Sequence, residues 1–121
     1  MAKFEEILPE DGLSEIQRKV HDLSVFNGWY EKPREVGTKI ALIHSEVSEA
    51  MEGFRKDKLD DHLIHRPSVE VELADAIIRI LDLAQFLKLD VQGALIEKHA
   101  YNASRADHKR EARAAEGGKK F

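Results

Sequence analysis

The 121-residue sequence has no cysteine, few aromatic side chains and no long apolar run. The lack of cysteine excludes a disulfide framework, a thiolate zinc site and a cysteine nucleophile, and it favours a reducing compartment. No stretch reaches the roughly 20 apolar residues that a membrane-spanning helix requires, and the acidic N-terminal segment is unlike an export signal. We therefore expect a cytoplasmic protein that does not contact a membrane.

An excess of positive charge is also missing, since the formal net charge is −4. Proteins that coat nucleic acid gain most of their affinity by neutralising phosphates with lysine and arginine, so we expect no nucleic-acid partner. An acidic chain that binds a polyanion such as a nucleoside triphosphate needs divalent cations between the two. The charge therefore directs attention to carboxylates that can hold such cations.

The sequence does contain apolar residues at helical spacing, such as Ile16, Val20 and Leu23, divided into segments by proline and glycine. This pattern predicts four helices, over residues 14–27, 34–55, 68–87 and 91–104. The first helix is predicted to begin with a capping box of Ser14 and Gln17 and to stop at Gly28.

The predicted elements and the length together indicate one all-α domain over residues 1–121. We expect a bundle of four to five helices, with residues 1–12 and 106–121 as peripheral or flexible ends. The third predicted helix is apolar on more than one side, because Val71, Ile78 and Phe86 lie off the stripe that contains Ile77 and Ile80. In so small a protein, another subunit is the expected second cover, so we predict a homo-oligomer.

Two pairs of acidic residues have the same spacing of three on neighbouring predicted helices. They are Glu46 and Glu49 in IHSEVSEAMEG, and Glu72 and Asp75 in VEVELADAIIRILD. A spacing of three places both acids of a pair on one helix face, at the border of an apolar stripe. If the two faces meet, four carboxylates converge, and such an oxygen-only site favours Mg²⁺ or Mn²⁺ over zinc or copper.

Solvated helices also display acids at this spacing, and Asp75 with Arg79 has the spacing of an ordinary surface pair. On the fourth predicted helix, Lys98, Asn102 and Arg105 share one side. Their cations and amide can hold phosphate oxygens. They can equally form the snorkelling end of an amphipathic helix, so spacing alone leaves both interpretations open.

The segments SEVSEAMEGFRK, VELADAIIRILD and EKHAYNASR, with the terminal GGKKF, resemble the MazG-like all-α nucleoside triphosphate pyrophosphohydrolases. The signature of that family, E-x-x-E on one helix and E-x-x-D on the next, matches the two acidic pairs, although Ser45 replaces the first Glu of the commoner E-E-x-x-E form. The resemblance implies a helical bundle completed by dimerisation or tetramerisation and dependence on magnesium. It also implies cleavage of a nucleoside triphosphate to a monophosphate and pyrophosphate.

The resemblance further implies roles for individual residues. Lys98, Asn102 and Arg105 would contact the phosphates, and Tyr101 would lie near them. Trp29 resembles the aromatic residue that stacks on the base in relatives. Lys39 would either touch phosphate or neutralise the acids. The metal ligands would be the four acids of the two pairs, Glu46, Glu49, Glu72 and Asp75.

The mechanism that follows is an in-line attack of water on the α-phosphorus, in which magnesium activates the water and neutralises the leaving pyrophosphate. Glu46 or Glu49 would act as the base, with Glu49 preferred. Two alternatives stay open. One is a non-catalytic helical oligomer, a nucleotide sensor or adaptor whose acids form salt bridges, and the other is a phosphoribosyl-ATP pyrophosphohydrolase.

Overall fold

A computed structural model describes residues 12–104 and Gly117, and within this part the chain is all-α. The helices are α1 (Gly12–Phe26), α2 (Val36–Arg55), α3 (Ser68–Phe86) and α4 (Val91–Ser104). The same residues form no β-strand, only an isolated antiparallel bridge between Leu59 and Pro67. The predicted fold class is therefore confirmed. None of these helices is long and apolar enough to cross a membrane.

The chain divides into two compact units. The larger unit, Glu15–Leu89, contains most of α1 together with α2 and α3, and α2 packs along α3. Of the described residues, the smaller unit contains α4 and the first residues of α1, up to Ser14. The acidic pairs both belong to the larger unit, on the two helices that pack together.

The start of α1 differs from its prediction. The helix begins at Gly12, and the backbone amides of Leu13 and Ser14 donate to the Gln92 side-chain oxygen at 2.8 and 2.9 Å. The predicted capping box is wrong, because a residue far along the sequence satisfies these amides. In the larger unit, the buried Gln17 side chain donates instead to Gln85 and to the Leu89 carbonyl oxygen.

Three helices end in the same way, on a residue in the left-handed region. These residues are Gly28 (φ +84°), Asp57 (φ +50°) and Lys88 (φ +57°). After each one, the next backbone amide donates to the carbonyl oxygen five residues earlier, at 2.8 to 3.1 Å. This is the Schellman pattern, which satisfies carbonyls at a helix end. The predicted stop at Gly28 is confirmed, while the other two stops use residues that sequence alone would not single out.

The buried faces of the helices are more polar than predicted. In α1 the buried residues are Gln17 and Ser24, whereas Ile16 and Leu23 of the predicted apolar stripe are 51% and 60% exposed. In the single chain, the predicted inward face of α1 is therefore wrong. The buried apolar core is formed by small residues and one leucine of α2 and α3, namely Ala50, Ala76, Leu81 and Ala84.

The close approach of α2 to the start of α3 depends on Gly53. A Cβ atom added there would lie 2.7 Å from the Ser68 hydroxyl, 3.0 Å from its Cβ and 3.4 Å from the Val69 backbone nitrogen. Turning the hydroxyl away cannot relieve the last two contacts. The glycine therefore lets the end of α2 lie against the segment that begins α3.

We expect Gly53→Ala to destabilise the protein by about 1–2 kcal/mol, because overpacking outweighs the gain in helix propensity. The matched control is Gly37→Ala, also within α2, where an added Cβ meets nothing within 4 Å. That change should stabilise by up to about 1 kcal/mol. Urea unfolding of both variants measures the two effects, and equal shifts would contradict the close-packing explanation.

Candidate metal centre

Three carboxylates meet where α2 packs along α3. Glu46 comes from α2, and Glu72 and Asp75 come from α3, where a spacing of three places both on one face. One oxygen from each of the three side chains can be chosen so that all three atoms lie within 4.8 Å of one another. Glu46 is buried, with 8% exposure, and the other two are half-buried. The two predicted pairs thus face each other across the helix contact.

Glu49 joins this group from the solvent side. Its side chain is exposed and lies close enough to Glu46 and Glu72 to influence the pKa of both carboxyl groups. Together with Glu72 it lines a cavity of about 240 Å³. The remaining lining residues are Glu52, Gly53, Lys58, Leu59, Asp60, Asp61 and Ser68. All four predicted acids therefore belong to one cluster, which we call the acidic cluster, and its outer side opens into the cavity.

The crowding of negative charge shifts the protonation of these groups. The pKa of Glu72 is raised to about 7, first by burial and then by hydrogen bonding with Glu46 and Glu49 and repulsion from their charges. Burial also raises the pKa of Asp75, and the charge of Glu46 adds to the increase. Burial alone would raise the pKa of Glu46. Hydrogen bonding with Arg79, Glu72 and Glu49 outweighs burial and holds this pKa below the ordinary value. Near pH 7, Glu72 is therefore partly protonated, and a bound cation would displace this proton.

The cation nearest to Glu46 is Arg79 of α3. Its Nε donates to Glu46 Oε1 at 2.8 Å, across the helix contact. Sequence spacing suggested a surface pair of Arg79 with Asp75, and the structure corrects the partner. This bond links residues 33 positions apart, which helical spacing cannot indicate.

The donors of the acidic cluster fit a hard divalent cation. They are carboxylate oxygens from three acids that meet within 4.8 Å, with Glu49 beside them at the cavity, and among the described residues Arg79 is the one cation that donates a hydrogen bond to them. Magnesium and manganese prefer such oxygen ligands, while zinc and copper sites normally include nitrogen or sulfur. The residues that would hold the ion are Glu46, Glu49, Glu72 and Asp75.

Asp60 also lies at the cavity and was not among the predicted site residues. Its Oδ2 accepts the backbone amides of His62 and Leu63 at 2.9 and 2.7 Å, and these bonds lower its pKa. Its charge contributes to raising the pKa of Asp75. The residue follows α2 in a segment predicted only as a polar linker, so no periodic signal could place it beside α3.

Two residues predicted to bind substrate, Trp29 and Lys39, also belong to the larger unit. The Arg79 guanidinium lies 5.3 Å from the centre of the Trp29 ring. Lys39 is buried, donates to the Tyr30 hydroxyl at 2.9 Å and lies 3.6 Å from Asp82 Oδ2. The acid that Lys39 neutralises is therefore Asp82, which is not one of the four predicted ligands.

Asp82 is the centre of a second polar group, in which Asp82 and Lys39 are buried and His21 and Tyr30 are half-buried. Its side chain is 3% exposed and accepts the Tyr30 hydroxyl at 2.6 Å, while the His21 ring nitrogen lies 2.9 Å away. Burial and the bond to Asp82 raise the pKa of Tyr30. With Lys39, this group joins α1, the segment after it, α2 and α3.

The other predicted phosphate ligands lie on α4, in the smaller unit. The Lys98 ammonium is 4.8 Å from the centre of the Tyr101 ring. Asn102 is half-buried, and its Oδ1 is buried without a hydrogen-bond partner among the described residues. Arg105 lies outside the described residues.

Comparisons of the chain with family models, curated proteins and solved structures found no match. The resemblance to MazG-like pyrophosphohydrolases therefore stays a prediction from the sequence motifs. The geometry of the acidic cluster is an independent observation, because it comes from the packing of α2 on α3.

We expect Glu72→Gln to stabilise the metal-free protein as the pH rises. Because the folded-state pKa of Glu72 is about 7, against 4.5 for an ordinary glutamate, the folded state binds the extra proton between these values. Glu72 therefore costs stability progressively from pH 4.5 to 7. After allowance for solvent screening, the cost above pH 7 is on the order of 1 kcal/mol, or about 4 °C in Tm.

The measurement is the Tm of wild type and Glu72→Gln in EDTA from pH 4.5 to 8. The difference should be small at pH 4.5 and largest above pH 7. Adding Mg²⁺ at pH 8 should raise the Tm of wild type more than that of the variant, because a ligand of the folded state stabilises it. A difference that does not vary with pH would show that Glu72 is not crowded by the other acids.

Proposed function

We propose that the protein is a magnesium-dependent nucleoside triphosphate pyrophosphohydrolase of the MazG-like all-α type. It would cleave a nucleoside triphosphate, with deoxynucleotides as the expected class, to the monophosphate and pyrophosphate. The observation that supports this most is the meeting of Glu46, Glu72 and Asp75 within 4.8 Å. The motifs that resemble the family and the arrangement in space single out the same residues.

The acidic cluster would hold magnesium, which supplies charge neutralisation at the phosphates and increases the acidity of the attacking water. Glu46 is tied to Arg79 and buried, so its carboxylate is restricted. Glu49 is exposed, lines the cavity and has no such hydrogen bond to Arg79 among the described residues. We therefore assign Glu49 as the base that orients the water and accepts its proton.

In the proposed reaction, the oxygen of water forms a bond to the α-phosphorus while the bond from that phosphorus to the bridging oxygen breaks in line. The proton of the water passes to Glu49, and pyrophosphate leaves with the bridging oxygen. Trp29 would stack on the base. Lys98, Asn102 and Arg105 would hold phosphate oxygens with Tyr101 near them, as the resemblance implies.

We further propose that a second copy of the chain covers the exposed apolar faces of α2 and α3. On α2, Ile40, Val47 and Met51 recur on one face with 43–60% exposure, and on α3 Leu73 and Ile77 are 49% and 53% exposed. Large contiguous apolar patches are rare on soluble monomers and usually mark an interaction surface. A helix pair of this kind is typical of an isologous dimer contact.

We expect Ile77→Asp to shift the protein from an oligomer to a monomer, because a desolvated, unpaired carboxylate in an apolar contact is costly. Light scattering coupled to size exclusion measures the mass of wild type and variant. The control is Ile64→Asp, at a 69% exposed residue between α2 and α3. A wild type that is monomeric at micromolar concentration would contradict this proposal.

The function is tested by incubating the protein with Mg²⁺ and a panel of the dNTPs, the NTPs and phosphoribosyl-ATP, and measuring released pyrophosphate. Pyrophosphate from one or more nucleoside triphosphates supports the proposal. Release from phosphoribosyl-ATP alone would favour that alternative substrate. No release from any of them would leave the non-catalytic oligomer as the better interpretation.

A further inference from the structure

Arg79 lies between the acidic cluster and the tryptophan ring. On one side its Nε donates to Glu46 Oε1 at 2.8 Å, and on the other its guanidinium lies 5.3 Å from the centre of the Trp29 ring. The Arg79 side chain is 28% exposed and that of Glu46 is 11% exposed, so solvent screens this arrangement only partly. Both contacts lie within the larger unit.

We propose that Arg79 is a positioning residue, which holds the Glu46 carboxylate toward Glu72 and Asp75 and couples the metal centre to Trp29. This inference rests on the metal site of the proposed function. A carboxylate has two oxygens, so Glu46 can accept Arg79 on one and still offer the other to a cation. Groups that orient a ligand in this way typically change metal affinity about 10- to 100-fold when replaced.

The shape of arginine matters for this role. Its planar guanidinium can donate from Nε at its edge while its face lies against an aromatic ring, which a lysine ammonium cannot do at the same time. The Arg79 guanidinium lies 5.3 Å from the centre of the Trp29 ring, so the ring occupies space into which the guanidinium would otherwise turn while it donates to Glu46. Lysine at this position would keep the positive charge and lose the direction.

A purely electrostatic role makes the opposite prediction. If Arg79 only balanced the negative charge, lysine would replace it without loss, and removing the charge would strengthen binding of a divalent cation. Arg79→Lys and Arg79→Gln therefore separate the two roles. In a positioning role, the lysine variant already binds the cation more weakly.

Trp29 gives a spectroscopic readout, because it is the only tryptophan in the sequence. A cation on the other Glu46 oxygen withdraws negative charge from the carboxylate that Arg79 contacts, so the contact of the guanidinium with the ring should change. We expect Mg²⁺ to alter the tryptophan fluorescence of wild type. The response should be lost or strongly reduced in Arg79→Lys, although Trp29 is still present.

The experiment is calorimetric titration of Mg²⁺ into the metal-free chain, with fluorescence titration in parallel. The variants are Arg79→Lys, Arg79→Gln and Trp29→Phe. The control is Arg66→Lys, at a half-exposed arginine that pairs with Glu70 at 3.3 Å. We expect binding at least about tenfold weaker in Arg79→Lys, with wild-type affinity in the control. Trp29→Phe retains an aromatic face and should fold, and we expect it to weaken binding severalfold.

Affinity of Arg79→Lys within twofold of wild type, or tighter binding by Arg79→Gln, would overturn the positioning role and leave the metal site standing. Absence of Mg²⁺ binding by wild type would overturn both this inference and the proposed function. Circular dichroism of each variant separates a local loss of affinity from a loss of fold. If Arg79→Lys does not fold, Trp29→Phe tests the proposal. Unchanged Mg²⁺ affinity of Trp29→Phe would contradict the coupling of the metal centre to Trp29.

Discussion

Asp75→Asn is expected to reduce pyrophosphate release by at least about 100-fold, comparable to the loss of one preorganised electrostatic group in other enzymes. The substitution keeps the size of the side chain and removes the negative charge beside Glu46 and Glu72, the other two members of the 4.8 Å group. Because the pKa of Asp75 is raised by burial and by Glu46, the metal-free fold should not suffer. The loss should therefore appear in the metal-dependent activity and not in stability.

The matched control is Glu70→Gln on the same helix. Glu70 is exposed and pairs with Arg66, so its loss removes an acid of α3 without touching the cluster. We expect activity close to wild type, with Tm within about 2 °C, as for most surface substitutions. Full activity of Asp75→Asn, or an equal loss in both variants, would remove Asp75 from the proposed site.

The acids of the cluster could be selected from sequence because their signal is local. A spacing of three on a helix puts Glu72 and Asp75 on one face whatever the rest of the fold does. The bounds of α2 and α3 were predictable for a similar reason, since Pro33 and Pro67 precede them and apolar periodicity continues through them. The bounds of α2 and α3 and the acids that share a face of α3 therefore agree with the structure.

The hydrogen-bond partners of the buried acids could not be predicted from the sequence, because these partners lie far away along the chain. Arg79 is 33 positions from Glu46, and His21 is 61 positions from Asp82. Asp82 lies seven residues after Asp75, which is almost two turns, so the two acids share nearly the same face of α3. Asp82 contacts Tyr30 and Lys39 because it lies about 10 Å further along the helix axis, where other elements pack.

The choice of buried face failed for a physical reason as well. Apolar periodicity shows that a face of a helix leaves water, without showing whether its own chain or another chain covers it. In α1, the exposed Ile16 and Leu23 lie beside the inward Gln17 and Ser24. The inward residues are polar because they meet polar partners from α3 and the segment after it, such as Gln85 and the Leu89 carbonyl.

Asp82→Ala is expected to destabilise the protein by about 3–5 kcal/mol, the cost of removing one partner from a buried ion pair. The alanine variant would leave the Lys39 ammonium, itself 8% exposed, beside a hydroxyl and two aromatic rings with no counter-charge. It would also remove the acceptor of the Tyr30 hydroxyl and the partner of His21. Since a domain of this size is stable by about 5–15 kcal/mol, such a loss is a large fraction of the total.

Urea unfolding of Asp82→Ala measures this cost. The control is Asp22→Ala, at an exposed acid of α1. Its free energy of unfolding should change by no more than about 0.5 kcal/mol. Adding Lys39→Met to Asp82→Ala should recover part of the loss, because the second change removes the unpaired charge. We expect the two changes to be coupled by about 1–3 kcal/mol. Additive effects of the two changes would mean that Lys39 and Asp82 contribute to stability separately. A cost of Asp82→Ala no greater than that of Asp22→Ala would show that solvent reaches the Asp82 group.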